Sequence, residues 1–204
     1  MKLFYAPGAC SMGIHLILEE IGKPYETQKV NLGAGEQHQK PFSDLNPKGK
    51  VPTVQRDDGS VLTEFPVIAL WLGLHNGLLP KEEGMALHAA ETMEFCVGTI
   101  HGKDFGRLFR PANFTKDEAG HDAVRAEGRE MVAKDFGVVS RDLGDRPYIG
   151  GDAFSVADAA MFYVEYWAAK RFNVPLPANL QAHFERVMAR PATGRMLAAE
   201  GLGS

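Results

Sequence analysis

The sequence predicts an α+β chain, in which a mixed N-terminal domain is followed by an all-α C-terminal domain. Three observations lead to this prediction. Strand-like and helix-like stretches alternate over residues 1–78, and strand patterns largely disappear from residue 85 onward. A segment containing Pro and Gly, "NGLLPKEEG", separates the two regions. We therefore place the domains at residues 1–78 and 85–204, and a chain of 204 residues is long enough to bury two small cores.

The N-terminal region predicts the element order β-α-β-α-β-β-α. The first helix, Ser11–Ile21, carries its large apolar residues on one stripe, and Gly22 ends it. Asp58-Gly59 favours the turn of a hairpin, and a third helix begins near Pro66, which is tolerated in a first turn. The predicted strands are Lys2–Ala6, Tyr25–Val30, Thr53–Arg56 and Val61–Thr63, and a short polar helix is predicted over Gly35–Leu45.

The C-terminal region predicts helices only. One of them begins within "GGDAFSVADA", where Ser155 and Asp158 have the spacing of a capping box. Apolar residues cover nearly all sides of this helix, which predicts a position in the middle of a bundle. The other helices are predicted over Met85–Leu108 and Thr115–Leu143, and near Ala178–Ala189 and Ala192–Ala199.

Composition and charge argue against several classes of function. The net charge of −4 indicates no basic face for nucleic acid or for an anionic membrane. No apolar run approaches the roughly 18 residues of a membrane-spanning helix, and the N-terminus is a poor secretory signal. Cys10 and Cys96 lie far apart and form no metal-binding pattern. We expect a cytoplasmic protein with reduced thiols and no metal.

Cys10 lies where the first strand gives way to the first helix, in "YAPGACSMG". The free N–H groups of a first helical turn and the helix dipole favour a thiolate at this place. Thioredoxin-like domains keep their redox cysteine there. Gly13 stands where the second cysteine of a C-x-x-C motif would lie, which excludes an intramolecular disulfide at this place. Two roles remain for the thiol, namely a mixed disulfide and a contact with the sulfur of another molecule. The structural alternative is a small residue packed at a turn.

Two further features suit a small peptide ligand. In thioredoxin-like folds, a cis-proline at the place of Val51-Pro52 leaves the preceding backbone free to pair with an extended peptide, although X-Pro bonds are usually trans. Glu64 and Phe65 open the third helix, where an acid receives an ammonium group and N–H groups receive a carboxylate. The alternative is an acid that complements the helix dipole. A thiol holder, a backbone clamp and a zwitterion receptor together predict glutathione as the ligand.

From end to end, the sequence resembles bacterial beta-class glutathione S-transferases. The motifs are "YAPGACS", "NPKGKVP" and "LTEF" in the first domain, and "LFRP", "FSVADA", "ARP" and "AAEGL" in the second. The resemblance implies the glutathione S-transferase fold, with a thioredoxin-like first domain, a homodimer and catalysis in the cleft between the domains. It implies that Cys10 and Ser11 meet the glutathione sulfur, that Val51 and Pro52 hold the peptide backbone, and that Glu64 meets the γ-glutamyl end.

Two positions near the glutathione pocket depart from the family pattern. Phe65 replaces a small or hydroxylic residue and precedes Pro66, which has no N–H, so the carboxylate pocket loses a side-chain donor. Gly35 stands where relatives often place a lysine that meets glutathione. Lys50 or Lys48 could replace that lysine, or each could be a solvated loop charge.

A third departure concerns the first long helix, where the family has an adjacent His-Lys pair that reaches toward the sulfur. In "IHGKDFGRLF", Lys103 aligns with the lysine, but His101 falls one residue early. It would point about 100° away unless the helix bulges, and the alternative is a surface or interhelical histidine. Phe105, Phe109 and Trp167 are expected to line an apolar pocket for the electrophile, with core packing as the alternative.

The leading hypothesis is a glutathione transferase that offers the glutathione thiolate to a small electrophile or disulfide. With a cysteine at the sulfur, thiol–disulfide exchange at Cys10 is chemically easy. One alternative is a non-catalytic regulatory or ligand-binding protein of the same fold. Another is a specialised catabolic glutathione lyase or dehalogenase. The sequence does not identify the electrophile.

Overall fold

The computed structural model of this chain describes residues 1–203, which form two compact units. The first unit contains Met1–Leu79 and the described residues from Val187 onward, and the second contains Pro80–Arg186. The first unit thus includes a C-terminal segment that the sequence pattern assigns to the helical domain of residues 85–204. A buried polar contact holds this segment in place, because Glu200 pairs with His15 of the first helix at 2.9 Å.

A four-stranded sheet forms the centre of the first unit, and all four predicted strands are confirmed. The strands are β1 (Lys2–Tyr5), β2 (Glu26–Lys29), β3 (Thr53–Gln55) and β4 (Val61–Thr63). Their order is β2-β1-β3-β4, with β1 parallel to β2 and antiparallel to β3, and with β3 antiparallel to β4. The chain therefore leaves β1, β2 and β4, and enters β3, at one edge of the sheet.

Helices account for most of the remaining chain. They are α1 (Ser11–Ile21), α2 (Phe42–Leu45), α3 (Phe65–Asn76), α4 (Glu83–Glu94), α5 (Gly106–Phe109), α6 (His121–Leu143), α7 (Val156–Trp167), α8 (Ala178–Met188) and α9 (Pro191–Glu200). Helices α1–α3 and α9 belong to the first unit, and α4–α7 belong to the second. Within residues 1–203, no helix combines the length and the hydropathy needed to cross a membrane.

Helix α1 is the most enclosed helix of the first unit. Every residue from Ser11 to Leu18 is buried, because α3 and α9 both pack against this helix. The helix ends at Gly22, whose φ of 67° is left-handed and whose N–H donates to the Leu18 carbonyl. The predicted bounds of this helix are confirmed.

Three predicted helices differ from the structure. The predicted Gly35–Leu45 helix is a 3₁₀ turn, Glu36–His38, followed by the single turn α2, because Pro41 supplies no N–H between them. The predicted Met85–Leu108 helix consists of α4 and α5 separated by a π-helical segment, Phe95–Phe105. The predicted Thr115–Leu143 helix begins only at His121.

Helix α7 lies in the centre of the second unit, as its composition predicts. All residues from Val156 to Val164 are buried. The predicted capping box is confirmed, since Asp158 Oδ2 accepts the Ser155 N–H at 2.7 Å. Loss of such a cap commonly costs about 1 kcal/mol.

Candidate active site

Cys10 is the N-cap residue of α1, just beyond the edge of the sheet where β1 ends. The backbone N–H groups of Cys10 and Ser11 act on the Cys10 sulfur and lower the pKa of its thiol. The thiol donates to the carbonyl oxygen of Val51, with a sulfur–oxygen distance of 3.4 Å. Cys10 is partly exposed, whereas Cys96 is fully buried. Of the two cysteines, only Cys10 is open to a second molecule.

Burial raises the pKa of the Cys10 thiol to about 12, and the carboxylate of Glu200 acts in the same direction. The two N–H groups and the charge of Lys50 oppose this shift without outweighing it. Cys10 is therefore a neutral thiol in this structure, and not the thiolate that its position at the start of a helix favours. The physical reason is desolvation, which penalises the charged sulfur more than the start of a helix favours it.

The Ser11 hydroxyl has a structural role at the end of β1. It donates to the Ala6 carbonyl at 3.2 Å and accepts the Ala6 N–H at 3.1 Å, and the residue is fully buried. The hydroxyl proton is thus directed at the end of β1. The Ser11 backbone N–H, in contrast, acts on Cys10 and lowers the pKa of its thiol.

The Val51-Pro52 peptide bond is cis and directly precedes β3. The Val51 carbonyl accepts the Cys10 thiol, and within residues 1–203 the Val51 N–H has no hydrogen-bond partner. Asn46 fixes this loop, since its amide donates to the Lys50 carbonyl at 2.9 Å and to Thr53 Oγ1 at 2.8 Å. Sequence reasoning missed Asn46, although an Asn before a Pro in a loop is a known turn former.

Glu64 lies between β4 and α3 with a φ of 68°, in the left-handed region that residues other than glycine rarely adopt. Its carboxylate Oε1 accepts a hydrogen bond from Lys48 Nζ at 2.8 Å, and this bond lowers the pKa of Glu64. Phe65 is only 3 % exposed, so its ring belongs to the core and only its backbone can face a ligand.

The remaining predicted residues of this region lie at exposed or half-buried positions. Gly35 precedes the 3₁₀ turn after β2 and has a φ of 74°. Because glycine has no side chain, only its backbone groups can contact a ligand. The Lys50 side chain is exposed, and its charge lowers the pKa of Cys10. Of the two lysines that could replace the missing one, Lys48 bonds directly to Glu64, whereas the charge of Lys50 lowers the pKa values of both Cys10 and Glu64.

The topology of the first unit brings these groups to one edge of the sheet. Cys10 follows β1, Gly35 follows β2, Val51 precedes β3 and Glu64 follows β4. The register places Phe4 beside Thr53, and Thr53 beside Thr63, so the ends of three strands are level. A thiol, a backbone N–H and a carboxylate therefore share a single surface of the first unit.

His101 lies in the π-helical segment of the second unit, where each turn is wider than in an α-helix. Its Nδ1 lies 3.2 Å from the Tyr163 hydroxyl, and its ring meets the Trp167 ring edge-on with centroids 4.8 Å apart. The bulge that the sequence required for an inward-facing His101 is thus present. Lys103 is exposed, and its carbonyl accepts a hydrogen bond from Arg107 at 2.9 Å.

Phe105, Phe109 and Trp167 form one aromatic cluster with Phe172. The ring centroids of Phe109 lie 4.9 Å from Trp167 and 4.8 Å from Phe172. Phe105 and Trp167 are buried, whereas Phe109 keeps partial exposure beneath the Arg171 guanidinium, 4.8 Å from the ring centroid. Phe109 is therefore the member of the cluster that can touch a ligand, and Phe105 supports it from the core.

Asp104 is a buried acid that sequence reasoning missed. It is fully buried beside Asp135 of α6. Desolvation first, and then Asp135, raise the pKa of Asp104 to about 7, while Lys103 and Arg107 oppose the shift. This carboxyl therefore changes its charge near neutral pH, and its neighbours in "HGKDFGRLF" give no sign that it is buried.

A second missed group is a buried histidine between two carboxylates. His183 Nδ1 lies 2.9 Å from Glu165 Oε2, and its Nε2 lies 3.1 Å from Asp158 Oδ1. All three side chains are fully buried. Burial alone would lower the pKa of His183, but the two carboxylates outweigh it and raise the pKa to about 10. His183 is thus an imidazolium within the core of the second unit.

Two family models match the chain. The glutathione S-transferase N-terminal domain matches residues 8–74, and the glutathione S-transferase C-terminal domain matches residues 122–187. Glutathione S-transferase GstA of Escherichia coli O157:H7 is 34 % identical over 99 % of this chain and 100 % of its own. The chain belongs to the glutathione S-transferase family.

Two other relatives are informative. The structure of a sphingomonad glutathione S-transferase complexed with glutathione is 33 % identical, with a TM-score of 0.83 over 100 % of both chains. The disulfide-bond oxidoreductase YfcG of Escherichia coli K12 is 28 % identical over 100 % of this chain and 97 % of its own. The predicted fold class and the predicted family are both confirmed.

Proposed function

We propose that the protein binds glutathione at the edge of the sheet that carries Cys10, Val51 and Glu64, and that it transfers the glutathione thiolate to small electrophiles. The observation that carries this proposal is the convergence of a thiol, an unpaired backbone N–H and a carboxylate on one surface. The structure of the sphingomonad relative supports the proposal, because that protein is complexed with glutathione and the two chains align over 100 % of their lengths.

In the proposed complex, glutathione lies extended and pairs with the Val51 backbone as an added strand would. The Val51 N–H donates to the cysteinyl carbonyl, and the Val51 carbonyl accepts the cysteinyl N–H. The Cys10 thiol then loses its present acceptor, the Val51 oxygen. It turns to the glutathione sulfur, while Glu64 receives the γ-glutamyl ammonium.

The raised pKa of Cys10 gives this thiol a role as a hydrogen-bond donor. A neutral S–H beside the glutathione sulfur stabilises the thiolate form of the ligand. The glutathione thiol loses its proton to solvent, and the resulting glutathione thiolate forms a carbon–sulfur bond with the electrophile. The leaving group departs with its electron pair, and Cys10 keeps its proton. Phe109, Phe105 and Trp167 are the proposed apolar surface for the electrophile, with His101 and Lys103 as candidate polar groups.

Thiol–disulfide exchange is the second proposed activity, and the name of the relative YfcG supports it. The Cys10 thiolate attacks the glutathione sulfur of a mixed disulfide between glutathione and a small thiol, so that a Cys10–glutathione disulfide forms and the small thiolate leaves. A glutathione thiolate then attacks the glutathione sulfur of that disulfide, which restores Cys10 and forms oxidised glutathione. Because the pKa of Cys10 is about 12, the rate of the first step should rise about tenfold per pH unit between pH 7 and 9.

The test measures glutathione binding by calorimetry, conjugation to an aromatic chloro-electrophile, and intact mass after treatment with oxidised glutathione. We expect binding and turnover in the wild type. Cys10→Ala should lose the mixed disulfide and most conjugation, Cys10→Ser should keep part of the conjugation, and the buried control Cys96→Ala should keep both. Binding without turnover would favour a non-catalytic ligand-binding protein, and absence of binding would refute the proposal.

The proposal includes a homodimer in a reducing compartment. Val67 and Leu74 on α3 are 50 % and 71 % exposed, and Leu87 on α4 is 65 % exposed. Large apolar side chains that stay exposed at helical spacing are typical of an interaction surface. The two free cysteines fit the cytoplasm, where thiols remain reduced.

A further inference from the structure

The Glu64 carboxylate forms an ion pair with a neighbouring lysine. Lys48 Nζ donates to Glu64 Oε1 at 2.8 Å and to Thr63 Oγ1 at 2.9 Å. The Lys48 backbone is held in turn, because its N–H donates to Oδ1 of the buried Asn46 at 3.1 Å. A fixed loop therefore presents the Lys48 ammonium directly beside the acid.

The γ-glutamyl end of glutathione carries an ammonium and a carboxylate on the same carbon atom. Glu64 can meet the ammonium, but the carboxylate needs donors of its own. The first turn of α3 provides fewer than usual, because Pro66 has no N–H and the buried Phe65 has no hydroxyl. The ligand's carboxylate is thus short of partners on the helix side.

We infer that Lys48 binds the α-carboxylate of the γ-glutamyl group, so that Lys48 and Glu64 together recognise the zwitterion. The inference rests on the proposed function and assigns a further residue to the same site. The two side chains form an adjacent positive and negative charge, which is the complement of the ligand's adjacent negative and positive charge. Their side chains are 53 % and 49 % exposed, so a ligand can reach both.

The ion pair between Lys48 and Glu64 has an alternative consequence for glutathione binding, in which Lys48 only competes with the ligand's ammonium for Glu64. Removal of the lysine would then tighten glutathione binding. If Lys48 instead binds the carboxylate, its removal weakens binding, and only for ligands that have that carboxylate. The sign of the effect and its dependence on the ligand therefore separate the two.

The experiment uses isothermal titration calorimetry on the full chain with glutathione and with 4-aminobutyryl-cysteinyl-glycine, which lacks the α-carboxylate. We expect Lys48→Met to weaken glutathione binding about tenfold, as for a half-exposed charged hydrogen bond, and to change binding of the analogue less than about twofold. Lys40→Met is the matched control, since Lys40 pairs only with Asp44 in an exposed contact, and it should leave both affinities unchanged.

The complementary arm uses Glu64→Gln with glutaryl-cysteinyl-glycine, which lacks the ammonium. This variant should weaken glutathione binding but leave binding of the glutaryl analogue unchanged. Equal losses for glutathione and the 4-aminobutyryl analogue in Lys48→Met, no loss, or tighter binding of glutathione would each overturn the inference. If the wild type itself fails to bind glutathione, the proposed function fails with it. Melting curves of each variant establish that it is folded.

Discussion

Replacement of His183 by Leu should strongly destabilise the second unit. In the folded protein this imidazolium lies between the buried carboxylates of Glu165 and Asp158, at 2.9 and 3.1 Å. In the variant, Asp158 keeps the N–H groups of Ile149 and Ser155 as hydrogen-bond partners, at 2.7 Å each. The Glu165 carboxylate, in contrast, loses its contact with His183 and becomes an unpaired buried charge. Breaking a buried ion pair by removal of one partner costs about 3–5 kcal/mol, and we expect this loss in the free energy of unfolding.

The double variant Glu165→Leu/His183→Leu separates an unpaired charge from a loss of packing. Replacement of a whole buried pair by apolar residues of similar volume is often neutral or stabilising. We therefore expect the double variant to be more stable than His183→Leu, and to lie within about 1 kcal/mol of the wild type. Equilibrium unfolding in urea, followed by circular dichroism at pH 7, gives all three free energies. A single variant as stable as the wild type, or a double variant no better than the single, would refute the reasoning.

The same ion pair has a pH dependence with a definite sign. The pKa of His183 is raised from 6.5 to about 10 in the folded protein, so the stabilisation is complete below pH 6.5 and is lost as the pH rises toward 10. Between pH 7 and 9, titration of His183 should lower the free energy of unfolding of the wild type by up to about 1.4 kcal/mol per pH unit. The stability difference between wild type and His183→Leu should shrink over that range, and a constant difference would contradict this assignment.

Three further predictions concern other groups. Asp104→Asn should raise the free energy of unfolding, measured in urea, by about 1–3 kcal/mol at pH 8 and by little near pH 4. The reason is that Asp104 has a pKa of about 7 and that burial penalises its charged form. An equal gain at both pH values would contradict this prediction. Glu200→Gln should speed the alkylation of Cys10 by iodoacetamide at pH 8 about threefold, since the carboxylate raises the pKa of that thiol; an unchanged or slower rate would count against it. Leu74→Arg should yield monomers in sedimentation velocity, whereas Val138→Arg on α6 should not, and a persistent Leu74→Arg dimer would exclude that surface.

Those parts of the fold that depend on local pattern could be predicted from the sequence. The apolar stripe and the final glycine define the bounds of α1, and the Asp58-Gly59 turn defines the hairpin of β3 and β4. The capping box at Ser155 marks the start of α7 for the same reason, because two residues suffice to form it. Segments whose hydrogen bonds depend on packing are different, and the π-helical segment Phe95–Phe105 reads as ordinary helix in the sequence.

The residue types of the candidate site could be predicted, but not their electrostatics. Position at the start of a helix favours a thiolate at Cys10, whereas the burial that raises its pKa exists only in three dimensions. The left-handed conformation of Glu64 and its contact with Lys48 depend on how two loops meet. The pairing of Glu165 with His183 likewise requires knowledge of which helix faces pack together.

The most direct test of the central claim is a crystal structure of the protein with glutathione bound. We expect the glutathione sulfur to contact the Cys10 sulfur, and the cysteinyl backbone of the ligand to pair with the Val51 N–H and carbonyl. A ligand bound elsewhere, or one whose sulfur points away from Cys10, would contradict this expectation.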